Sequence, residues 1–126
     1  MRISTVVRHS TQTRRRALFE EAIDAIRRDF ADATLSLADV AHAIATSRRQ
    51  LQRVLSEHGT SFRAELQRER MTRAAQLLRE SALPVSAVAR AVGYRQAAQF
   101  SKAFRRHHGR PPSALRRAAP PERAAA

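Results

Sequence analysis

The chain has 126 residues, which is enough for one ordinary domain or for two small lobes that share a helix. It has no cysteine, which excludes disulfides and thiolate metal sites, and no apolar run as long as the roughly 18 residues of a membrane span. The formal charge is +13, and residues 81–119 include Lys and Arg but no Asp or Glu, a pattern that attracts polyanions, nucleic acid first and anionic membrane second.

The N-terminal residues 1–16 are polar and basic apart from a short apolar run, and they are predicted to form a flexible basic tail. The run at residues 14–16 consists of three arginines, which we interpret as solvated, with a DNA phosphate contact as the alternative. An apolar stripe at helical spacing then runs from Phe19 to Phe30 and predicts an amphipathic packing helix. Gly and Pro are scarce and no strand-like alternation stands out after the first few residues, so we expect an all-α fold.

Two similar helical units follow, predicted at about residues 36–59 and 84–109. In the first helix of each unit, apolar residues recur at i, i+3, i+4 and i+7, and each second helix ends at His-Gly. The repeated sets are Leu37, Val40, Ala41 and Ile44 in the first unit and Val85, Val88, Ala89 and Val92 in the second. A helix, a tight turn, a second helix and a glycine stop are typical of a helix-turn-helix DNA reader.

The spacing of the two copies changes at the turn. The offset is 48 residues before the turn, from Ile44 to Val92, and 49 after it, from Leu51 to Phe100. One residue is therefore inserted in the second turn, where Gly93 is expected to provide the bend.

Two serines are predicted to cap helices of the first unit. Ser36 and Ser47 each have a capping-box partner three residues on, Asp39 and Gln50 respectively. Gly59 is predicted to end the second of these helices in a left-handed conformation.

One continuous helix is predicted between the two units, at residues 61–80. Twenty residues at 1.5 Å each give about 30 Å, close to the ~34 Å between successive major-groove faces of a duplex. We therefore expect this helix to act as a spacer. Pro111 and Pro112 are predicted to begin a last short helix, and residues 118–126 to form a disordered tail.

The outward faces of the two second helices follow from 100° per residue. They are Arg49, Gln52, Arg53 and Ser56 in the first copy, and Ala98, Ser101, Lys102 and Arg105 in the second. Arg and Gln pair with guanine and adenine edges in the major groove, so Arg49, Gln52 and Arg53 are the strongest candidates for base readout. The second face is poorer in such groups. We expect the first helix to set most of the specificity and the second to add affinity.

Catalysis and metal binding have little support in the sequence. It contains no HExxH, GxSxG or GxxxxGK[ST] motif and no paired carboxylates in an apolar setting. We therefore expect no enzymatic activity, no cofactor and no metal site. His58 and His108 occur at repeated positions, which favours a role at the helix ends.

The stretch GYRQAAQFSKAFRRHHGRPPSALR, residues 93–116, resembles the signature of the AraC/XylS-type transcription regulators in their C-terminal DNA-binding domain. It has the family's Gly, aromatic residue, Phe followed by Ser and a basic residue, second Phe, basic pair, Gly, Pro and final Arg. The resemblance covers about residues 17–117 and implies seven helices, two helix-turn-helix units and a long connecting helix. Ala45 departs from the pattern, since the family usually has Gly at this position in the first turn.

The resemblance also implies which residues contact DNA. For base readout these are Arg49, Gln52, Arg53, Ala98, Gln99, Ser101 and Lys102. Apart from the resemblance, we expect the DNA backbone to be contacted by Ser47, Arg48, Ser56, Gln96, Arg105 and Arg106, with Lys102 and Arg105 each suited to a base or a phosphate.

We expect a sequence-specific, double-stranded DNA-binding transcription regulator that inserts helices 47–58 and 96–108 into successive major grooves as a monomer. RNA polymerase is the expected protein partner, and the cytoplasm, at the bacterial nucleoid, is the expected location. Sixteen residues are too few for a ligand-sensing domain, so we expect the stand-alone form. Two alternatives stay open: a nucleic-acid-binding protein without sequence preference, and a truncated regulator acting as a decoy for a full-length relative.

Overall fold

The computed structural model describes the backbone of residues 2–117 and the side chains of residues 11–116. In this part of the chain all regular structure is helical, which confirms the all-α prediction. The seven helices are α1 (Arg2–Asp29), α2 (Leu37–Ala43), α3 (Arg48–Glu57), α4 (Phe62–Glu80), α5 (Val85–Ala91), α6 (Ala97–His108) and α7 (Pro112–Arg117). The tail predicted at residues 118–126 lies outside the described residues.

Helix α1 begins at Arg2, so the prediction of a flexible tail is wrong for residues 2–16. That prediction gave weight to the polar and basic composition of these residues, and the β-branched residues 5–7 have low helix propensity. However, no Gly or Pro interrupts the chain before Asp29, and Leu18 and Ala22 are buried. Extending a helix that packing already holds costs much less than starting one, so the helix continues toward the N-terminus.

The described chain divides into two compact units. The first comprises its residues up to Asp29 together with Leu35–Glu65, and the second comprises Phe30–Thr34 together with its residues from Leu66. In the first unit, α3 contacts both α1 and α2. In the second unit, α4, α5 and α6 enclose a buried cluster that includes Met71, Phe100 and Phe104.

The turns of both units contain the same pair of backbone hydrogen bonds, which form a Schellman motif. In each, the N–H of the residue after the C-cap donates to a carbonyl three residues back, and the next N–H donates to one five residues back. The pairs are Ala45 to His42 (3.2 Å) and Thr46 to Ala41 (2.9 Å), then Gly93 to Arg90 (3.1 Å) and Tyr94 to Ala89 (2.9 Å). The repeat seen in the sequence is therefore also a repeat of backbone geometry.

The inserted residue lies after this motif. Helix α2 has its C-cap at Ile44 and α3 its N-cap at Ser47, whereas α5 has its C-cap at Val92 and α6 its N-cap at Gln96. The second turn is longer by one residue, Arg95, as the change of offset predicts.

The capping box predicted at Ser36 is present. The Ser36 hydroxyl accepts from the Asp39 N–H (3.1 Å), and Asp39 Oδ2 accepts from the Ser36 N–H (3.0 Å). At Ser47 only half of the predicted box forms, because the hydroxyl accepts from the Gln50 N–H (3.0 Å) but Gln50 Oε1 accepts from the Thr46 hydroxyl (3.1 Å). The neighbouring hydroxyl of Thr46 takes the acceptor that a reciprocal box requires.

The remaining helix ends agree with the sequence-based predictions. Helix α4 is continuous, and the Ser61 hydroxyl accepts from the Ala64 N–H (3.1 Å) at its start. Gly109 ends α6 at φ +75°, a left-handed conformation, and α7 begins at Pro112. None of the described helices combines the length and the apolar character that crossing a membrane requires.

Candidate nucleic-acid interface

The first candidate reading helix, α3, is held by three buried residues on one face. Leu51, Val54 and Leu55 lie at i, i+3 and i+4 and are at most 1% exposed. The residues predicted to contact DNA from the first unit are all exposed: Ser47, Arg48, Arg49, Gln52, Arg53 and Ser56. The buried stripe thus fixes the rotation of the helix and presents an Arg- and Gln-rich face to solvent.

Helix α1 adds a basic residue beside this face. Arg15 and Arg53 line the same surface cavity of about 220 Å³, and the other lining residues are Ser47, Arg49, Gln50 and Val54. Arg15 Nη1 also contacts Glu57 Oε2 on α3 at 3.1 Å. The arginine run at residues 14–16 was the signal in the sequence; Arg15 is partly exposed, as the interpretation of that run as solvated requires, and it also makes a contact with α3 that the sequence did not indicate.

Two stacked rings fix the end of α3. The rings of Phe19 and His58 lie 3.9 Å apart, centroid to centroid, and are parallel to within 7°. His58 Nδ1 also lies 2.9 Å from the Val54 carbonyl oxygen. His108 lies near the end of α6 but contacts another helix, since its Nε2 lies 3.1 Å from the Met71 carbonyl oxygen of α4. Each histidine therefore stabilises the end of its helix, by a different contact.

The second candidate reading helix, α6, is held by Phe100 and Phe104, which have no exposed surface, and by Ala103. Of the residues predicted to contact DNA from this unit, six are exposed: Gln96, Ala98, Gln99, Lys102, Arg105 and Arg106. Ser101 is half-buried and offers less surface than its predicted outward position requires. Gln96, at the N-cap, makes no side-chain capping bond.

The last turn of α6 is rich in basic residues. The last turn contains Arg105, Arg106, His107 and His108. Partial burial, with smaller contributions from the charges of His108 and Arg68, lowers the pKa of His107 below its ordinary value of 6.5. His107 is therefore mostly neutral at neutral pH. Among the described residues, no group of three or more His, Cys, Asp or Glu side chains is placed to hold a metal ion.

A family model described as a helix-turn-helix domain matches residues 40–118. A similar curated protein is an uncharacterized helix-turn-helix-type transcriptional regulator of Mycobacterium tuberculosis, 44% identical over 78 residues. The match covers 62% of this chain and 23% of that protein, so the chain spans about a quarter of its relative's length.

Two solved structures have the same fold. A transcriptional regulator from Chromobacterium violaceum, described among AraC-type DNA-binding domain-containing proteins, superposes with a TM-score of 0.75 at 27% identity, covering 80% of this chain and 90% of that one. The DNA-binding domain of the global transcriptional factor AdpA, solved in complex with a target DNA, superposes with a TM-score of 0.72 at 27% identity, covering 79% and 90%. The chain therefore belongs to the AraC-type family of helix-turn-helix DNA-binding domains.

Proposed function

We propose that this protein binds double-stranded DNA in a sequence-specific manner and regulates transcription. The observation that carries the proposal is the exposed face of α3, where Arg49, Gln52 and Arg53 stand opposite a fully buried stripe. Two further observations support it: the net charge of +13, and the similarity to the AdpA domain, which was solved on its target DNA.

In the proposed mechanism, α3 and α6 enter successive major grooves. The guanidinium groups of Arg49 and Arg53 pair with guanine O6 and N7, and the amide of Gln52 pairs with adenine N6 and N7. Ser47, Arg48 and Ser56 bind the DNA backbone around α3. These contacts set the position of the helix without reading sequence.

Helix α6 has a smaller share in base readout in this proposal. Gln99, Lys102 and, to a lesser extent, the half-buried Ser101 face bases, while Gln96, Arg105 and Arg106 bind backbone. Ala98 offers only a methyl group, which suits a thymine methyl and no hydrogen-bonding edge. Most of the specificity therefore comes from α3, and α6 mainly adds affinity.

One chain supplies two reading helices, so we propose that it acts on DNA as a monomer. Its protein partner in this proposal is RNA polymerase, and its location is the bacterial nucleoid. Helix α4 has 19 residues and a length of about 28 Å, close to the groove repeat that two-site binding needs.

The substitution Arg53→Ala tests the proposed readout. It should cost roughly 1–3 kcal/mol of binding free energy on a site selected from genomic DNA and relax the preference at one base pair, because a bidentate contact is lost. Arg27→Ala, an exposed change on α1, is the control for lost charge. Gel shifts on selected and scrambled duplexes measure both effects. Equal losses on the two duplexes would falsify base readout by Arg53.

Binding without sequence readout is the rival function, and the α6 face favours it because Lys102, Arg105 and Arg106 all suit phosphates. A hydroxyl-radical footprint separates the two functions. Two protected patches that lie about one helical turn apart, at fixed positions in the selected site, support reading of two successive grooves. Uniform, register-free protection supports the rival.

A further inference from the structure

Three arginines line the cavity between α1 and α3. Arg15 comes from α1, and Arg49 and Arg53 come from successive turns of α3. No acidic residue lines this cavity. Arg15 pairs with Glu57, which is not part of the wall. Arg49 and Arg53 make no ion pair within 4 Å among the described residues. We propose that Arg15, Arg49 and Arg53 form a binding pocket for a phosphate group, and that a phosphate of the DNA backbone occupies it. This inference rests on the DNA-binding function proposed above.

Arg15 is oriented for this role by Glu57. The carboxylate of Glu57 accepts from Arg15 Nη1 at 3.1 Å, and both side chains are 41% exposed. An ion pair this exposed contributes little to stability, because water already screens the charges. It nevertheless holds the guanidinium beside α3 and leaves N–H groups on the other two nitrogens for a second acceptor. Glu57 is thus a positioning residue for Arg15.

The start of α3 favours an anion at the same place. The cavity is lined by Ser47, the N-cap, and by Arg49 and Gln50 of the first turn. The Gln50 N–H is already bonded to the Ser47 hydroxyl. The N–H groups of Arg48 and Arg49, however, have no acceptor within the helix, and the helix dipole places partial positive charge there. Phosphate is the anion that suits a helix N-terminus and several guanidinium forks together.

The pocket would extend the DNA-contacting surface from α3 onto α1. The base-reading helix α3 and Arg15 belong to the same compact unit, so a phosphate held here lies next to the bases that α3 contacts. In this arrangement Arg49 and Arg53 serve both the pocket wall and the edge of the reading face. Arg15 serves the phosphate alone.

The test compares Arg15→Gln with Arg27→Gln, which removes the same charge from an exposed position elsewhere on α1. Binding to the selected duplex and to a scrambled duplex is measured over a series of salt concentrations. Arg15→Gln should weaken both by roughly threefold to tenfold and reduce the slope of log K against log salt by about 0.9, since one phosphate contact is lost. Arg27→Gln should change the slope much less, and circular dichroism checks that both variants fold.

A second arm uses inorganic pyrophosphate, at constant ionic strength with chloride as the reference, and records thermal stability and displacement of DNA. If pyrophosphate stabilises the wild type but not Arg15→Gln, and also displaces DNA, the pocket exists and binds free phosphate compounds as well as DNA. If Arg15→Gln loses DNA affinity and pyrophosphate has no effect on either protein, the pocket exists and binds only phosphates of the DNA backbone.

One outcome overturns the inference, and a second overturns the proposed function independently of it. If the wild type prefers its selected site while Arg15→Gln and Arg27→Gln behave alike in both arms, the phosphate pocket is wrong and the proposed function stands. If the wild type shows no preference between duplexes, the proposed specificity fails, and the salt slopes and pyrophosphate data still decide the pocket.

Discussion

At the scale of single residues, Ala45 has the least favourable backbone conformation for its type. It lies in the first turn at φ +56°, and it is the one residue other than glycine with positive φ in the part of the chain the structure describes. The equivalent position in the second turn is Gly93, and both donate the same Schellman hydrogen bond. The first turn therefore keeps its geometry although it has an L-residue where the family usually has Gly.

Replacing Ala45 by Gly should stabilise the protein. An L-residue in the left-handed conformation costs roughly 1–2 kcal/mol of backbone strain, which Gly relieves. The greater freedom of Gly in the unfolded chain offsets part of this, so we expect the free energy of unfolding to rise by about 0.5–1 kcal/mol. Ala43→Gly, two residues earlier in the last turn of α2, is the control and should lose about 1 kcal/mol. Urea unfolding measures both. Destabilisation by Ala45→Gly would contradict the strain assigned to this position.

Gly93 has a second constraint, which Ala45 lacks. A Cβ atom at Gly93 would lie 2.7 Å from the Phe30 carbonyl oxygen and 2.9 Å from the Arg70 guanidinium. Backbone cannot move aside as a flexible side chain can, so only glycine fits between the turn and this segment. The requirement is thus steric as well as conformational.

At the scale of elements, Arg70 of α4 binds the Phe30–Thr34 segment, which follows α1 in the chain and belongs to the second unit. Its Nε donates to the Phe30 carbonyl (2.9 Å) and its Nη2 to the Asp32 carbonyl (2.8 Å), while its guanidinium lies 5.6 Å from the centre of the Tyr94 ring. The side chain is half-buried. The guanidinium of this one α4 residue therefore contacts both the Phe30–Thr34 segment and the second turn.

Arg70→Lys keeps the charge but not the fork, so it should lower the free energy of unfolding by about 2 kcal/mol. A single ammonium cannot reproduce two bonds in the geometry of a planar guanidinium. Arg73→Lys on the same helix is the matched control and should change stability by less than about 0.5 kcal/mol, because lysine keeps a cation beside the Phe30 ring and the ion pair with Glu69 is exposed on the arginine side. Equal losses in the two variants would show that the fork is not what holds the segment.

The helices that local periodicity defines were predictable from the sequence, and those details that depend on distant contacts were not. The apolar stripes placed α2 to α6 correctly, and with them the outward face of α3 and, except for the half-buried Ser101, that of α6, because packing of a stripe fixes a helix's rotation. The contact of Arg15 with Glu57 joins residues 42 apart, and that of Arg70 with Phe30 joins residues 40 apart. No local pattern reports such pairs. The start of α1 was missed because residues 2–16 have no stripe of their own.

At the scale of the whole molecule, charge is distributed in a way that suits a polyanionic partner. Acidic residues are absent from residues 81–119, and of the 24 lysines and arginines in the chain all except Lys102 are arginines. Arginine keeps its charge at all physiological pH values and forms bidentate contacts with phosphate and guanine. Affinity for DNA should accordingly fall steeply with salt, and the proposed specificity should depend much less on salt, because base contacts rather than phosphate contacts carry it.

The most direct test of the central claim is the ratio of affinities for two duplexes at physiological salt. One is a duplex selected from genomic DNA by the wild-type protein, and the other is a scrambled duplex of the same length and base composition. Sequence-specific reading predicts a preference of at least about 1,000-fold for the selected duplex. Comparable affinities for the two duplexes would contradict it.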